Sequence, residues 1–237
     1  NGDSLAEQVS NVFIFFAFTA LFILLYAEKK HPYRQFDKAI NKESILTNLS
    51  AFLFNNVVLT LVRATSLFFV AQKFSGLGLL NILPEGPVRW MLTFLLYDFA
   101  IYLWHVLNHH NEFFWRFHKV HHSDKSYNVT TGFRFHVFDL LIEIPFKCVF
   151  VVVMGVDAHI VLAMEAIQLL FILFHHANLH IPHEAELSRW IITPSLHRTH
   201  HSAARKEHDS NYGIVFSVWD RMFGTRLDLV PERIGLD

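Results

Sequence analysis

The stretch WMLTFLLYDFAIYLWHVLNHHNEFFWRFHKVHH, residues 90–122, decides how the rest of the chain is read. Its first half, Trp90–Val106, holds one acid, Asp98, and is almost long enough to cross a bilayer core of about 30 Å, which takes roughly 20 apolar residues as a helix. Its second half carries two histidine patterns, His105-x-x-x-His109 and His118-x-x-His121-His122. Residues spaced i,i+3 or i,i+4 share a helix face. HxxxH therefore presents two imidazoles to one point, and HxxHH presents three. A membrane-length helix that ends in clustered imidazoles is the organising feature.

Four more apolar runs surround it: Val9–Ala27, Ile45–Val62, Val137–Val156 and Ala158–His176. Asn48, Asn55 and Asn56 turn the Ile45–Val62 run toward protein rather than lipid. Asp139, Glu143 and Lys147 make Val137–Val156 polar toward its start, and Ala158–His176 carries His159 and Glu165. Of 237 residues 52% are hydrophobic and 17% charged, so five such runs leave too little polar chain to cover a soluble core. The expected architecture is an all-α, integral-membrane helical bundle of four to five transmembrane helices, one domain over residues 1–237. Residues 107–136 and 177–237 form its helical cap.

Basic residues orient the bundle. If all five runs cross, residues 28–44, 107–136 and 177–237 share one side and hold 16 of the 20 Lys and Arg. Residues 1–8, 75–87 and the turn at Asp157 share the other side and hold none. By the positive-inside rule the first set is cytosolic. The start lacks the basic n-region of a secretory signal, and Gly76-Leu77-Gly78 with Pro84-Glu85-Gly86-Pro87 reads as an external turn. A net charge of −1 argues against nucleic acid as a partner, and the lone Cys148 excludes an internal disulfide.

The 17 histidines are placed, not scattered. A second HxxxH, His176 and His180, ends the fifth run, and a second HxxHH, His197, His200 and His201, lies in the tail. All four groups fall on the side expected to be cytosolic. Without metal, packed imidazoles repel one another when protonated and leave buried polar groups unsatisfied when neutral. Imidazole suits zinc, copper, iron and nickel. Ten such ligands exceed what one zinc site uses, and two redox irons fit the count better.

These residues resemble the fatty acid hydroxylase/sterol desaturase superfamily of integral-membrane di-iron enzymes. The likeness runs from about Asp98 to Arg226, through DFAIYLWHVLNHH, FFWRFHKVHHSDKSYN, GFRFHVFD, HHANLHIP, TPSLHRTHHS and HDSNYGIVFSVWDRMFGT. It implies a membrane bundle whose cytosolic cap holds two Fe ions, with zinc a substitute in recombinant protein, and which uses O2 and two electrons on a lipid C–H bond. The metal ligands it implies are His105, His109, His118, His121, His122, His176, His180, His197, His200 and His201. Members often have an Arg after the first histidine of the first box; here Val106 stands there and His110 follows His109, leaving His110 a substitute ligand. His31-Pro32-Tyr33 lacks the glycines of the fused haem domain found in some members. That implies electrons from a separate carrier, a b-type cytochrome or a ferredoxin with its reductase.

All-His ligation leaves the metal charge uncompensated, so Asp98, Glu165, His136, His208, Asp209, Asn211 and Tyr212 are candidates to hold ligand N–H groups or deliver protons. Phe113, Phe114, Trp115, Phe117, Trp190, Trp219 and Phe223 suit helices in the headgroup layer. Hydroxylation of a fatty acyl, sphingolipid or sterol is the first reading, with desaturation as the alternative. A metal transporter would place ligands near the bilayer midplane in broken helices, which these positions do not. A zinc-dependent membrane enzyme lacks support from any nucleophile elbow, HExxH or phosphate loop.

Overall fold

A computed structural model describes residues 2–61 and 67–237, with the side chains of residues 2–11, 13 and 14 also outside the description. Val62 and Arg63, placed by the sequence at the end of the second run and beside it, lie outside the described residues, as do the side chains of the proposed external segment 1–8. Among the described residues there is no strand, only isolated bridges such as Pro32 with Leu179. Five long helices match the five runs: α1 (Gly2–Lys30), α2 (Lys38–Leu61), α4 (Pro87–His110), α6 (Val137–Met154) and α7 (Ala158–His175). A short α3 (Leu67–Phe74) packs against α6 and α7.

Local chemistry sets the helix ends. Asp37 caps α2 by accepting from the backbone N–H of Ala39 at 2.8 Å, and Asp157 caps α7 by accepting from His159 at 2.8 Å. Pro87 opens α4, where its missing N–H costs nothing. Gly155 ends α6 in the left-handed region at φ 71°, and a Cβ there would stand 2.4 Å from the Leu77 carbonyl oxygen. This close approach fixes the turn after α3 against the α6–α7 connection.

Three helices, α2, α4 and α7, are long and apolar enough to cross a membrane among the described residues. Asp139, Glu143 and Lys147 set α6 apart from them. The large apolar side chains of these helices point outward in number: Leu53, Phe54 and Val57 on α2 and Met91 and Leu103 on α4 are exposed. Polar ones point inward, with Ser44, Asn48 and Asn55 buried on one side of α2. That inversion is what a lipid surround favours. Asn48 donates to Asp124 at 2.7 Å and Thr130 at 3.0 Å, and Asn55 to the Phe135 carbonyl at 2.9 Å. Asn56 departs from the expectation, since it is exposed and returns its amide to Phe52 on its own helix.

Tyr97 and Ile101 of α4, Phe150 and Val151 of α6, and Val161 and Met164 of α7 form the apolar core. Beyond it lie α5 (Glu112–His118), α8 (Glu184–Leu187), α9 (Pro194–His200), α10 (Arg205–His208) and α11 (Val218–Phe223). These short helices and the loops between them carry His118, His197, His200 and His208. Glu28, at the end of α1, ties in by accepting from the backbone N–H groups of Val129 and Asn178 at 2.9 and 2.6 Å.

Candidate metal centre

Nine of the ten sequence-derived histidines meet in two adjacent buried groups. His105, His109, His118, His122 and His200 form one; His121, His176, His197 and His201 form the other, the ligand-capable atoms of each lying within 4.8 Å of one another. The HxxHH patterns divide between the groups. His118 and His122 face one way and His121 the other; His200 goes with the first and His197 and His201 with the second. Local spacing builds the triplets, and the tertiary fold splits them.

The nitrogens converge as ligands do. His105 Nε2 lies 3.1 Å from His118 Nε2, and His176 Nε2 lies 3.1 Å from both His121 Nε2 and His197 Nε2. Two imidazole nitrogens each about 2.1 Å from one ion stand roughly 3.0–3.4 Å apart for right-angled to tetrahedral coordination. One proton can bridge a facing pair but not satisfy a converging set. His109 Nε2, His200 Nε2 and both nitrogens of His122 and of His201 are buried with no partner in the protein. Orphans of this kind are costly, and a metal ion satisfies them. The donor set thus fits divalent first-row metals with imidazole preference.

Outer contacts aim several rings. Nδ1–H of His105 donates to the Tyr212 carbonyl at 2.8 Å, His176 to that of Ile172 at 2.7 Å and His200 to that of Ser210 at 2.6 Å. His118 Nδ1 lies 3.0 Å from Asp139 and His109 Nδ1 3.3 Å from Asp209. Each contact turns the opposite nitrogen, Nε2, toward the centre. Burial, and then the crowd of neighbouring imidazoles, pushes His121, His122, His197, His200 and His201 well below the usual range, and burial pushes His176 down to about 4. Neutral rings with free lone pairs are the form that binds metal.

His180 stays apart. It is exposed and belongs to neither group. The HxxxH reading requires the helix to continue, but α7 ends at His175, and Leu179 pairs in an extended bridge with Pro32. Its neighbour His175 is buried instead, with its ring centre 3.9 Å from that of His197 and Nδ1 3.3 Å from the Ile214 carbonyl. Spacing gave His175 no role; it braces His197. Of the His109–His110 doublet, His109 points into the centre, while His110 is exposed and its Nε2 meets the Tyr212 hydroxyl at 3.1 Å.

The expected supporting residues divide. Asp209 holds His109, and Tyr212 holds His105 through its carbonyl. His208 donates Nδ1–H to the Ser202 carbonyl at 3.0 Å and, with His109 and Asp209, makes a third metal-capable group. Asn211, at φ 51°, braces the loop by donating to the carbonyls of Leu196 and Leu227. Asp98 touches no histidine; it accepts from the N–H groups of Val215 and Phe216 and from Trp219 Nε1. His136 caps α6. Glu165 bonds Tyr97 and Lys147. Trp115 packs on His109 and stacks on His208, so it walls the centre, whereas Phe113, Trp190 and Phe223 remain exposed.

Asp139 was missed as a support because nothing in the sequence links it to His118. Replacing it with Ala is expected to lower metal affinity about 10–100-fold, as loss of a ligand's hydrogen-bond acceptor does. Metal retained after dialysis against graded chelator checks this.

The centre opens on a cavity of about 440 Å³, within the usual size of a ligand pocket. His105, His118, His121 and His176 form one wall, and Trp104, Phe133, Leu140 and Ile172 are among its apolar lining.

Apolar helices around a buried double histidine cluster define a helical membrane protein with a polyhistidine centre. A model of the fatty acid hydroxylase family matches residues 90–225, more than half the chain. The chain belongs to that family. It is 31% identical over 229 residues to alkylglycerol monooxygenase of Xenopus tropicalis, covering 95% of this chain and 48% of the relative. It is 32% identical over 146 residues to ornithine lipid hydroxylase OlsE of Rhizobium tropici, covering 59% and 44%. A Delta(7)-sterol 5(6)-desaturase of Gibberella zeae is 25% identical over 243 residues, covering 97% and 72%. The chain spans less than half the length of the first two. No solved structure matches.

Proposed function

We propose that the chain is an O2-dependent lipid hydroxylase with a di-iron centre. His105, His109, His118, His122 and His200 would hold one iron, and His121, His176, His197 and His201 the other. The observation that carries this reading is two converging all-histidine groups on the wall of a mostly apolar cavity. Iron held there supplies the redox chemistry that side chains lack. In the overall reaction a C–H bond becomes C–OH with one oxygen atom of O2. The second atom leaves as water, with two electrons from a separate carrier and two protons from solvent.

The chain's own residues do the rest. Trp104, Leu140 and Ile172 hold an apolar chain against the histidine wall and keep water out. Carbonyls of Tyr212, Ile172 and Ser210 hold the rings rigid through Nδ1–H. Asp139 and Asp209 place negative charge behind His118 and His109, offsetting part of the metals' charge. The names of the hydroxylase and monooxygenase relatives favour hydroxylation over desaturation. The excess of Lys and Arg on the cap side supports a multi-pass protein with the centre at the cytosolic face, within reach of a b-type cytochrome or ferredoxin.

Metal analysis of the purified protein together with lipid mass spectrometry of expressing cells tests the reading. Bound iron and a lipid heavier by one oxygen are expected. A lipid two hydrogens lighter would make the chain a desaturase. Zinc alone, no lipid change and failed iron reconstitution would remove the oxygenase reading.

A further inference from the structure

The cavity has a second end that the metal chemistry does not use. From Asp139, which holds His118 at the metal end, a polar stripe runs at i,i+4 along α6 through Glu143 to Lys147, and all three line the cavity. Lys147 Nζ lies 3.1 Å from Glu143 and 3.2 Å from Glu165 of α7, and the Tyr97 hydroxyl of α4 donates to the same Glu165. Beside them, Gln168 also lines the cavity; it is 4% exposed, and its Nε2 donor has no partner in the protein. Ionisable groups inside apolar helices are costly and mark ligand pathways more often than scaffolding. An unused buried donor points the same way, since it costs stability until something accepts from it.

We infer that this end of the cavity binds the uncharged, hydrogen-bonding polar group of a lipid, while the lipid's chain lies along the apolar wall toward the histidines. Charge decides the class. Two carboxylates flank Lys147, the one ammonium among the described residues that line the cavity, so it is already neutralised and an incoming carboxylate or phosphate meets repulsion. Hydroxyl or amide N–H groups can donate to Glu143 and Glu165, and their oxygens can accept from Gln168. Gln168 precedes His176 by two turns and Glu165 by three, about 12–16 Å at 1.5 Å per residue. The polar end therefore sets which carbon along the chain faces the centre. This deepens the proposed lipid hydroxylation and rests on it for that last step, though not for the binding itself.

Equilibrium binding to the full chain in detergent tests it without turnover, using probes of equal chain length: 1-hexadecanoylglycerol, hexadecanoate and hexadecane. The glycerol ester is expected to bind at least about tenfold more tightly than either of the others. Gln168→Leu should cut that preference several-fold with metal content unchanged, and it relieves an unpartnered donor, so the fold should survive. Glu143→Gln, which removes one flanking carboxylate and leaves the Lys147 ammonium paired with Glu165 alone, should bring hexadecanoate close to the ester. Equal binding of ester and hexadecane, or a preference for hexadecanoate in the unaltered protein, overturns the inference. A preference that persists in both variants also overturns it, because the polar group then sits elsewhere. A protein that binds the ester as expected but oxidises no lipid leaves this site standing and removes the hydroxylase reading.

Discussion

With one ion in each histidine group, as proposed, His121→Ala is expected to halve the metal content and to abolish lipid oxidation, while His180→Ala leaves both near their original levels. The contrast follows from geometry. His121 Nε2 meets His176 Nε2 at 3.1 Å in a four-histidine group, so its loss leaves three donors and opens a gap beside His201. His180 is exposed and outside both groups. Elemental analysis of matched preparations reads the difference directly, and His159→Ala, exposed at the start of α7, serves as a second control. Retention of both ions by His121→Ala, or loss of one by His180→Ala, would reverse the assignment.

Asp98→Ala is expected to cost about 3–5 kcal/mol of stability, among the largest effects of any single substitution. Its carboxylate accepts from Val215 N–H at 3.1 Å, Phe216 N–H at 3.2 Å and Trp219 Nε1–H at 2.8 Å. Removing it orphans three donors in a buried place. The same loop delivers the Tyr212 carbonyl to His105 and the Ser210 carbonyl to His200. Thermal unfolding in detergent should drop, and metal content should drop with it. Asp98→Asn should fall between, since it keeps an acceptor but loses the charge and adds an amide donor with nowhere to go. Unchanged unfolding in Asp98→Ala would show that the loop is held by other means, such as Asp220, which accepts from Tyr212 and Gly213 N–H groups.

Both cases show where reading a sequence succeeds and where it stops. Asp98 is a candidate in the sequence to hold a ligand N–H group, yet its side chain turns to a loop more than a hundred residues on. Glu165 is another and belongs to the ionic cluster with Lys147. Asp139 carried no signal toward His118, and the carbonyls of Ile172, Ser210 and Tyr212 could carry none, because a backbone acceptor leaves no mark on residue type. His180 falls outside both groups for a local reason: i+4 spacing means a shared face only while the helix lasts, and α7 stops at His175.

What the sequence determined by itself is the membrane-helical class and nine buried histidines, because apolar run length and i,i+3 or i,i+4 spacing are local properties that survive folding. Only the tertiary structure decided how those histidines divide. His121 lies between His118 and His122 in spacing but faces the other group, and His200 is separated from His197 and His201 in the same way. Each ring goes where its partners from distant segments meet it. The polar stripe of α6 follows the same rule: charges that looked like a flaw in a membrane helix become a site once α4 and α7 close the cavity around them.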